Sequence, residues 1–401
     1  MRTKVLVLGS NFGGLTAALA VKQELGGDVD VTVMSPADRF VFNPSLIWLP
    51  FGNRAPRDIT FPLVPTFDEH GIDYVQAAAT AIDPDARRVQ IDDGSWHDYD
   101  YLVVATGYRN DIDAVPGLAE HGVTITTLDD AVTAGVRWRR FLAEPGDIVV
   151  AAAPRAGCFG AAYEFLFNVA HRLRKTGLKR QVTLTYVSAE PFLGHFGIGG
   201  LPHGETLLGM FCKREGIDTR VGVALEHVDA GAAVLADGTT IPSSYTMVIP
   251  PFLGQDVARA AHALSPDANG FLPVRPTYQS EKYDDVYAVG VAAAVSVPWQ
   301  TPVPVGVPKT GYPTEVQAHT AARNIAAQIR GERPEAEKSF GDIPAICVMD
   351  AGRNGVVILA DKMLPPRKHG LLIPGPQAHA MKLAFEKYFL WKARHGYVQL
   401  P

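Results

Sequence analysis

Lys4-Val5-Leu6-Val7-Leu8 runs into Gly9-Ser10-Asn11-Phe12-Gly13-Gly14 and then into an Ala/Leu-rich stretch that reaches Glu24. A short β-branched apolar run, a glycine turn and a helical stretch make the opening unit of a dinucleotide-binding fold. In such a unit Gly9 permits the sharp turn and Gly14 lets helix and strand approach closely. The unpaired N–H groups and dipole of the helix start then meet a pyrophosphate. The middle glycine of the G-x-G-x-x-G pattern is here Asn11, which accepts positive φ more readily than most residues and is expected to preserve the turn. A tight turn without a ligand is the plain alternative reading of the same residues.

The strand that follows, Val29 to Met34, ends at Ser35 rather than at an acidic ribose-binding residue, so the serine hydroxyl is expected to take that hydrogen bond. Two later runs, Tyr101-Leu102-Val103-Val104-Ala105-Thr106-Gly107 and Val286-Tyr287-Ala288-Val289-Gly290, are buried-strand patterns that close on glycine. They resemble the later flavin-contacting stretches of the FAD-dependent pyridine-nucleotide-disulfide reductase superfamily. That resemblance implies an α/β fold with two Rossmann-like dinucleotide-binding domains and cofactor contacts at Ala105, Thr106, Gly107, Gly290 and Val291.

A linker near Asp111 to Gly117 and a helix around Asp129 to Leu142 lead to a second strand, Asp147 to Ala153. The glycine fingerprint of an NADH site should follow it. The chain reads instead Pro154-Arg155-Ala156-Gly157-Cys158-Phe159-Gly160, then a helical pattern from Ala161 to Arg174. A pyrophosphate there would meet Cβ atoms and the Pro154 ring, so NAD(P)H is a poor candidate electron donor. Cys158 stands at the helix start, where the dipole and free N–H groups are expected to lower a thiol pKa. Glu164 is a candidate proton handler on the same helix. A small buried cysteine and a solvated glutamate are the bland readings of these two residues.

Composition narrows the function classes. The chain has 401 residues, 47% of them hydrophobic and 20% charged, which is enough for more than one core. A net charge of −5 with scattered Lys and Arg argues against a nucleic-acid surface. Neither an export signal nor an apolar run of about 18 residues is expected. Three cysteines, Cys158, Cys212 and Cys347, are too few for a disulfide scaffold. Cys212, in an amphipathic stretch from Glu205 to Glu215, reads as a packing residue. No metal centre is expected.

Further segments carry a closer resemblance. They are Phe42-Asn43-Pro44-Ser45, Cys158 to Phe165, Glu190-Pro191-Phe192-Leu193-Gly194-His195, Thr301 to Pro304, Val307 to Tyr312, Ile346-Cys347-Val348-Met349-Asp350 and Ala384 to Lys392. With them the chain resembles the sulfide:quinone oxidoreductases and the related flavin subunits of flavocytochrome c sulfide dehydrogenase. The resemblance implies noncovalent FAD, because the segment Ile125-Thr126-Thr127 lacks the cysteine that some members link to the flavin. It also implies that Cys158 and Cys347 are the redox pair. Sulfide attacks their disulfide or a sulfur-bridged form of it, Cys158 keeps the sulfur, and the Cys347 thiolate delivers two electrons at the flavin C4a. Low-pKa thiols are expected for both steps.

The remaining contacts implied are Gly9, Asn11, Gly14, Ser35, Lys309, Thr310 and Gly311 for the cofactor, with Lys309 near the flavin N1–C2 edge. Phe42, Pro44, Gly311, Phe385 and Phe389 are implied for quinone. His195, in a glycine-rich loop, is expected to move protons with a pKa near neutrality. The tail, a helix from about Gln377 to His395, mixes aromatics with Lys382, Lys387, Lys392 and Arg394 and is expected to lie on the bilayer as a monotopic anchor. A tail helix packed on the core has the same spacing. The expected division is 1–115 for the first part of the FAD-binding domain, 116–270 for a second Rossmann-like domain without an NAD site and 271–330 for the return to the first. Residues 331–401 form a C-terminal region holding Cys347 and the amphipathic helix. Hydrogen sulfide, a membrane quinone and the lipid surface are the expected partners, and self-association is left open. The rival readings are a flavocytochrome-type sulfide dehydrogenase, a flavin-bearing redox sensor and a type II NADH dehydrogenase.

Overall fold

The computed structural model describes residues 2–400. The opening apolar run forms the strand Thr3–Leu8, the centre of a five-stranded parallel sheet. Across the sheet the order is Val286–Ala288, Tyr101–Val104, Thr3–Leu8, Val29–Met34 and Asp73–Val75. Parallel strands buried on both faces read as continuous apolar runs rather than alternating ones. Val7, Val103 and Val33 are wholly inaccessible in keeping with that. Each such side chain contributes about 1.5–3 kcal/mol on burial. The helices Phe12–Leu25 and Gly311–Ile329 pack together through Ala17, Ala18, Ala318, Ala321 and Ala322, all at 0% exposure, so small side chains set their close approach.

A second parallel sheet repeats the plan, in the order Gly122–Val123, Tyr245–Ile249, Ile148–Ala152, Leu184–Ser188 and Ile217–Val221. Its central strand Ile148–Ala152 is buried throughout and feeds the helix Phe159–Lys175, two residues longer at the start than the apolar spacing predicts because Cys158 itself is the N-cap. Beyond both sheets lies a three-stranded antiparallel sheet, Ala345–Asp350, Gly355–Ala360 and Gly370–Gly375, carrying the tail helix Pro376–Arg394. Side chains on a strand alternate between faces. Ala345 and Met349 therefore share one face with Cys347, and the first two are buried in the core under the helix Phe159–Lys175. No helix among the described residues is long and apolar enough to cross a membrane.

Candidate active site

The first glycine turn closes as the sequence requires, though not through Asn11. Gly9 takes φ +101°, and a Cβ there would lie 2.3 Å from the Ala105 carbonyl oxygen. A Cβ on Gly14 would lie 1.8 Å from the Gly9 carbonyl oxygen, so only hydrogen fits between turn and helix. Asn11 has φ −90° and needs no tolerance of positive φ. Its side chain instead ties the turn to the next loop, accepting from the Val41 N–H at 3.4 Å and donating to Asn43 Oδ1 at 3.3 Å. Ser35 is buried, and its hydroxyl accepts from Ser10 at 2.9 Å and from the Ala37 N–H at 3.3 Å.

Ala105, Val289 and Thr314 all lie within 3.4 Å of where a Gly13 Cβ would stand, so the three glycine-ended segments converge on one helix start. Gly290, with φ +69°, packs against Thr314 and donates its N–H to Gln317 Oε1 at 2.6 Å. Thr106 Oγ1 is buried without a hydrogen-bond partner. A buried hydroxyl of that kind needs an acceptor or donor from a ligand or water. Glycine turn, free helix N–H groups and orphaned hydroxyl together fit a dinucleotide.

The corresponding place in the second sheet is closed by protein. Arg155 N–H donates to the Pro304 carbonyl at 2.8 Å, Ala156 N–H to Ala153 at 2.9 Å and Gly157 N–H to Pro250 at 3.1 Å. A Cβ on Gly157 would stand 2.1 Å from the Phe252 ring, which itself stacks on Tyr108 at 3.7 Å. The backbone donors that would cradle a phosphate are therefore consumed.

Cys158 begins the next helix with its sulfur near the N–H groups of Gly160 and Ala161, but no cap hydrogen bond closes. Burial raises its pKa; the two N–H groups pull the other way and lose. Cys347 stands across from it on the strand Ala345–Asp350. A Cβ on Gly160 would be 3.8 Å from the Cys158 sulfur and 3.9 Å from the sulfur of Met349, the strand neighbour on the Cys347 face. Cys347 is an exposed residue by its accessible area, yet protein atoms crowd around its thiol. Burial, then the charges of Glu164 and Cys158, push its pKa up to about 12. Both thiols are free. The expectation of low-pKa thiols is thus corrected: lost hydration outweighs the helix dipole. Cys212 is buried, with burial raising its pKa to about 12, and packs in the core.

Glu164 lies on the buried side of the same helix. Its Oε1 accepts from the Asp350 N–H at 3.0 Å and from the Lys382 ammonium of the tail helix. Burial lifts the carboxyl to about 7 even with Lys382 alongside. Asp350 in turn contacts Trp48 Nε1 at 2.9 Å and His379 Nδ1 at 2.5 Å. Burial acts upward on Asp350, but Trp48 and His379 hold it below the ordinary carboxylate range. Asn168 bridges the two segments, donating to the Glu164 and Asp350 carbonyls at 2.9 and 3.0 Å.

His195 departs from the reading of a near-neutral loop histidine. It is 4% exposed, edge-on to Trp299 with ring centres 4.8 Å apart, and burial followed by the Arg367 charge lowers its pKa to about 4. The imidazole is held neutral at physiological pH. Lys309 donates to the Val291 and Ala293 carbonyls at 2.9 and 3.1 Å and lies over the Phe271 ring; burial lowers its pKa to about 7. It props the turn after Gly290. Thr310 occupies the N-cap position of the helix that starts at Gly311 but makes no side-chain cap bond, and a Cβ on Gly311 would be 2.9 Å from the Phe12 ring.

The tail helix packs on the protein rather than lying free. Phe42 and Phe389 are buried with ring centres 5.2 Å apart, and Phe12 lies 4.8 Å from Phe389. Phe385 is 41% exposed and touches Phe42 at 5.8 Å, while Pro44 is partly exposed beside it in sequence. Lys382 and Lys392, expected among lipid headgroups, are 4% and 2% exposed and paired with Glu164 and Glu315. Charges buried to that degree require partners. Glu386 is buried too, accepting from Ser45 at 2.5 Å and pairing with Arg54. Met381, Phe385, Lys387, Trp391 and Arg394 remain outward. Lys382, Asp350, His379 and Trp48 escaped the sequence reading of the site. The spacing of His379 and Lys382 on one helix face was visible, but nothing local links them to Glu164.

Residues 3–322 match the family described as pyridine nucleotide-disulphide oxidoreductase. The chain is 35% identical to the sulfide-quinone reductase of Aquifex aeolicus over 99% of its own length and 92% of the relative's. It is 27% identical to the mitochondrial sulfide:quinone oxidoreductase of Dictyostelium discoideum, covering 76% of this chain and 70% of that one. The X-ray structure of the Aquifex aeolicus sulfide:quinone oxidoreductase superposes with a TM-score of 0.94 at 34% identity, covering 98% of this chain and 92% of that one.

Proposed function

The chain belongs to the sulfide-quinone reductase family of the pyridine nucleotide-disulphide oxidoreductases, and from that premise we propose how it oxidises hydrogen sulfide and reduces a quinone. The observation that carries the reading is the meeting of Cys158 and Cys347 over Glu164, next to the glycine cradle. Tyr108, directly after Gly107, feels the Cys158 charge, and the Lys309 N–H donates to the Gly157 carbonyl at 3.2 Å. The thiol pair and the cradle are therefore neighbours.

Flavin is the cofactor, held noncovalently by Gly9, Gly14, Thr106, Gly107, Gly290 and the start of the helix at Gly311; when bound it supplies two-electron acceptance and return. In the oxidised pair, HS⁻ attacks the Cys158 sulfur, the S–S bond breaks, and Cys347 leaves as thiolate while Cys158 becomes a persulfide. A thiolate as basic as Cys347 is a slow leaving group. The Lys382 ammonium, which lowers its pKa, offsets part of that handicap. The persulfide sulfur then bonds to Cys347. That step releases one proton and two electrons, the proton going to Glu164. Repetition lengthens the sulfur bridge, and the quinone takes two electrons and two protons per turn.

Residues 1–115 and 271–330 supply the cofactor sheet in this reading, and 116–270 the sheet that lost its nucleotide. Phe385, Pro44 and Gly311 are the accessible residues against which a quinone ring rests, with Phe42 and Phe389 as the buried wall behind them. Leu371, Ile373, Met381, Phe385 and Trp391 are exposed apolar residues of the last strand and the tail helix, and with the exposed Lys387 and Arg394 they rest on the bilayer in this reading. The decisive test is Cys347→Ser in detergent with sulfide and a short-chain quinone. Flavin stays bound while its bleaching by sulfide slows by about 10³-fold or more. Bleaching at the parent rate would defeat the paired-thiol mechanism.

A further inference from the structure

The tail helix is tied to the body of the protein at two successive turns of one face. Lys382 reaches Glu164, and Glu386, four positions on, takes Ser45 and Arg54. The Glu386 side chain is 4% exposed and engaged at both oxygens. Its Oε2 accepts from the Ser45 hydroxyl at 2.5 Å, and Arg54 Nε donates to Oε1 and Oε2 at 2.9 and 3.1 Å, with Arg54 Nη2 2.8 Å from Oε1. Arg54 is steadied in turn: its Nη1 donates to the Asn53 carbonyl at 2.8 Å, and its guanidinium lies 4.8 Å from the centre of the buried Trp48 ring. One carboxylate thus ties both ends of the segment 45–54 to the helix.

The tie reaches the aromatic wall in one step. Ser45 is wholly buried, and its N–H donates to the Phe42 carbonyl at 3.1 Å, so a residue held at 45 holds the ring at 42. Phe42 and Phe389 back the half-exposed Phe385 ring, with centres 5.8 and 5.7 Å from it. Phe389 belongs to the same helix as Phe385, whereas Phe42 is brought by the loop, and its place depends on how the loop sits on the helix. We infer that Glu386 is a positioning residue for the quinone: by holding Ser45 and Arg54 it fixes Phe42 behind Phe385, and so sets the face that Phe385 offers to the quinone ring. A buried ion pair costs desolvation that its own attraction about offsets, so the carboxylate adds little net stability and serves to select one register of loop on helix. Register matters here because contacts between aromatic rings depend on offset and angle. The sulfur site is joined to the helix one turn earlier, through Lys382 and Glu164, so the effect of Glu386 falls on the quinone half of the reaction. The inference rests on the quinone-reducing reading.

The test takes parent, Ser45→Ala and Glu386→Gln holoenzymes in detergent and separates the two halves of the reaction: bleaching of the flavin by sulfide without quinone, and steady-state turnover against a short-chain quinone. Ser45→Ala removes one hydrogen bond and leaves the ion pair with Arg54. Glu386→Gln keeps an acceptor for Ser45 and removes the charge that holds Arg54. In each variant KM for the quinone rises by about tenfold, the effect of losing a hydrogen bond to a charged group. Turnover at saturating quinone stays within about twofold of the parent, as expected when binding alone is weakened, and bleaching by sulfide keeps the parent rate. An unchanged KM in Ser45→Ala would overturn the inference. So would a loss that falls equally on bleaching and on quinone turnover, which would make the tie a support of the whole fold. Ser45→Ala, the milder change, decides alone if Glu386→Gln fails to hold flavin. A parent whose sulfide-reduced flavin is not reoxidised by quinone would defeat the quinone reading itself, a separate outcome.

Discussion

The two parallel sheets share one plan and differ in a few turn residues. In the first, the strand Thr3–Leu8 gives way to a turn in which Gly9 and Gly14 bring backbone against backbone, leaving the helix N–H groups for a ligand. In the second, the strand Ile148–Ala152 gives way to Pro154–Gly157, in which the N–H groups of Arg155, Ala156 and Gly157 bond to Pro304, Ala153 and Pro250, and Cys158 occupies the N-cap position without a side-chain cap bond. The same strand–turn–helix geometry thus leaves free helix N–H groups in one case and places a thiol at the helix start in the other. A helix start is a general device, and its occupant is decided by whether the preceding turn leaves its donors free.

That contrast is broken most severely by Gly14→Ala. The new methyl meets the Gly9 carbonyl, a backbone atom with no freedom to withdraw, at a cost of about 3 kcal/mol or more. The purified variant is expected to hold little flavin, as read from its absorbance, and to lose sulfide oxidation with it; normal flavin content would show the turn to be slacker than the geometry says. Glu164→Gln comes next. Folding favours the protonated acid, because the folded pKa near 7 lies above the ordinary 4.5; that stabilising contribution is full below pH 4.5 and is lost as pH rises through about 7. The base form needed for turnover is populated only above that value. The parent rate therefore rises with pH through about 7, and the glutamine variant is slower by about 10²-fold with no such rise. A rise that persists would move the base elsewhere. The smallest effect belongs to Gly160→Ala, the second helix's counterpart of the glycines in the first. Its methyl would have sulfur neighbours at 3.8 and 3.9 Å, ordinary contact distances. Thermal stability and flavin content are expected to match the parent, and a marked loss of either would show that the second turn is as tight as the first.

Much of the fold was legible because its signals are local. Apolar runs buried on both faces named the parallel strands, and glycine spacing named the first turn. The sequence after Asp147–Ala153 lacks the glycines of a phosphate turn, but two of the carbonyls that take its N–H groups come from Pro250 and Pro304, which no local pattern relates to it. The tail shows where local reading falls short. Lys382 and Lys392 beside aromatics suit a headgroup region as well as they suit buried ion pairs, and only the positions of Glu164 and Glu315 choose between these. The thiol pKa values were misjudged for a related reason: the dipole is written in the sequence, whereas the dehydration that overrides it comes from packing.

The glycine turn and the resemblance of ordered segments determined by themselves that this chain is a two-sheet flavoprotein. The tertiary structure decided that Cys158 and Cys347 come near enough for their charges to act on each other, that Glu164 takes Lys382 as its partner, and that Asp350 and His379 adjoin that pair. Strand and turn preferences act over a few residues and survive in the linear pattern. Proximity of groups hundreds of positions apart, and the loss of water that sets their charge, exist only once the chain has packed.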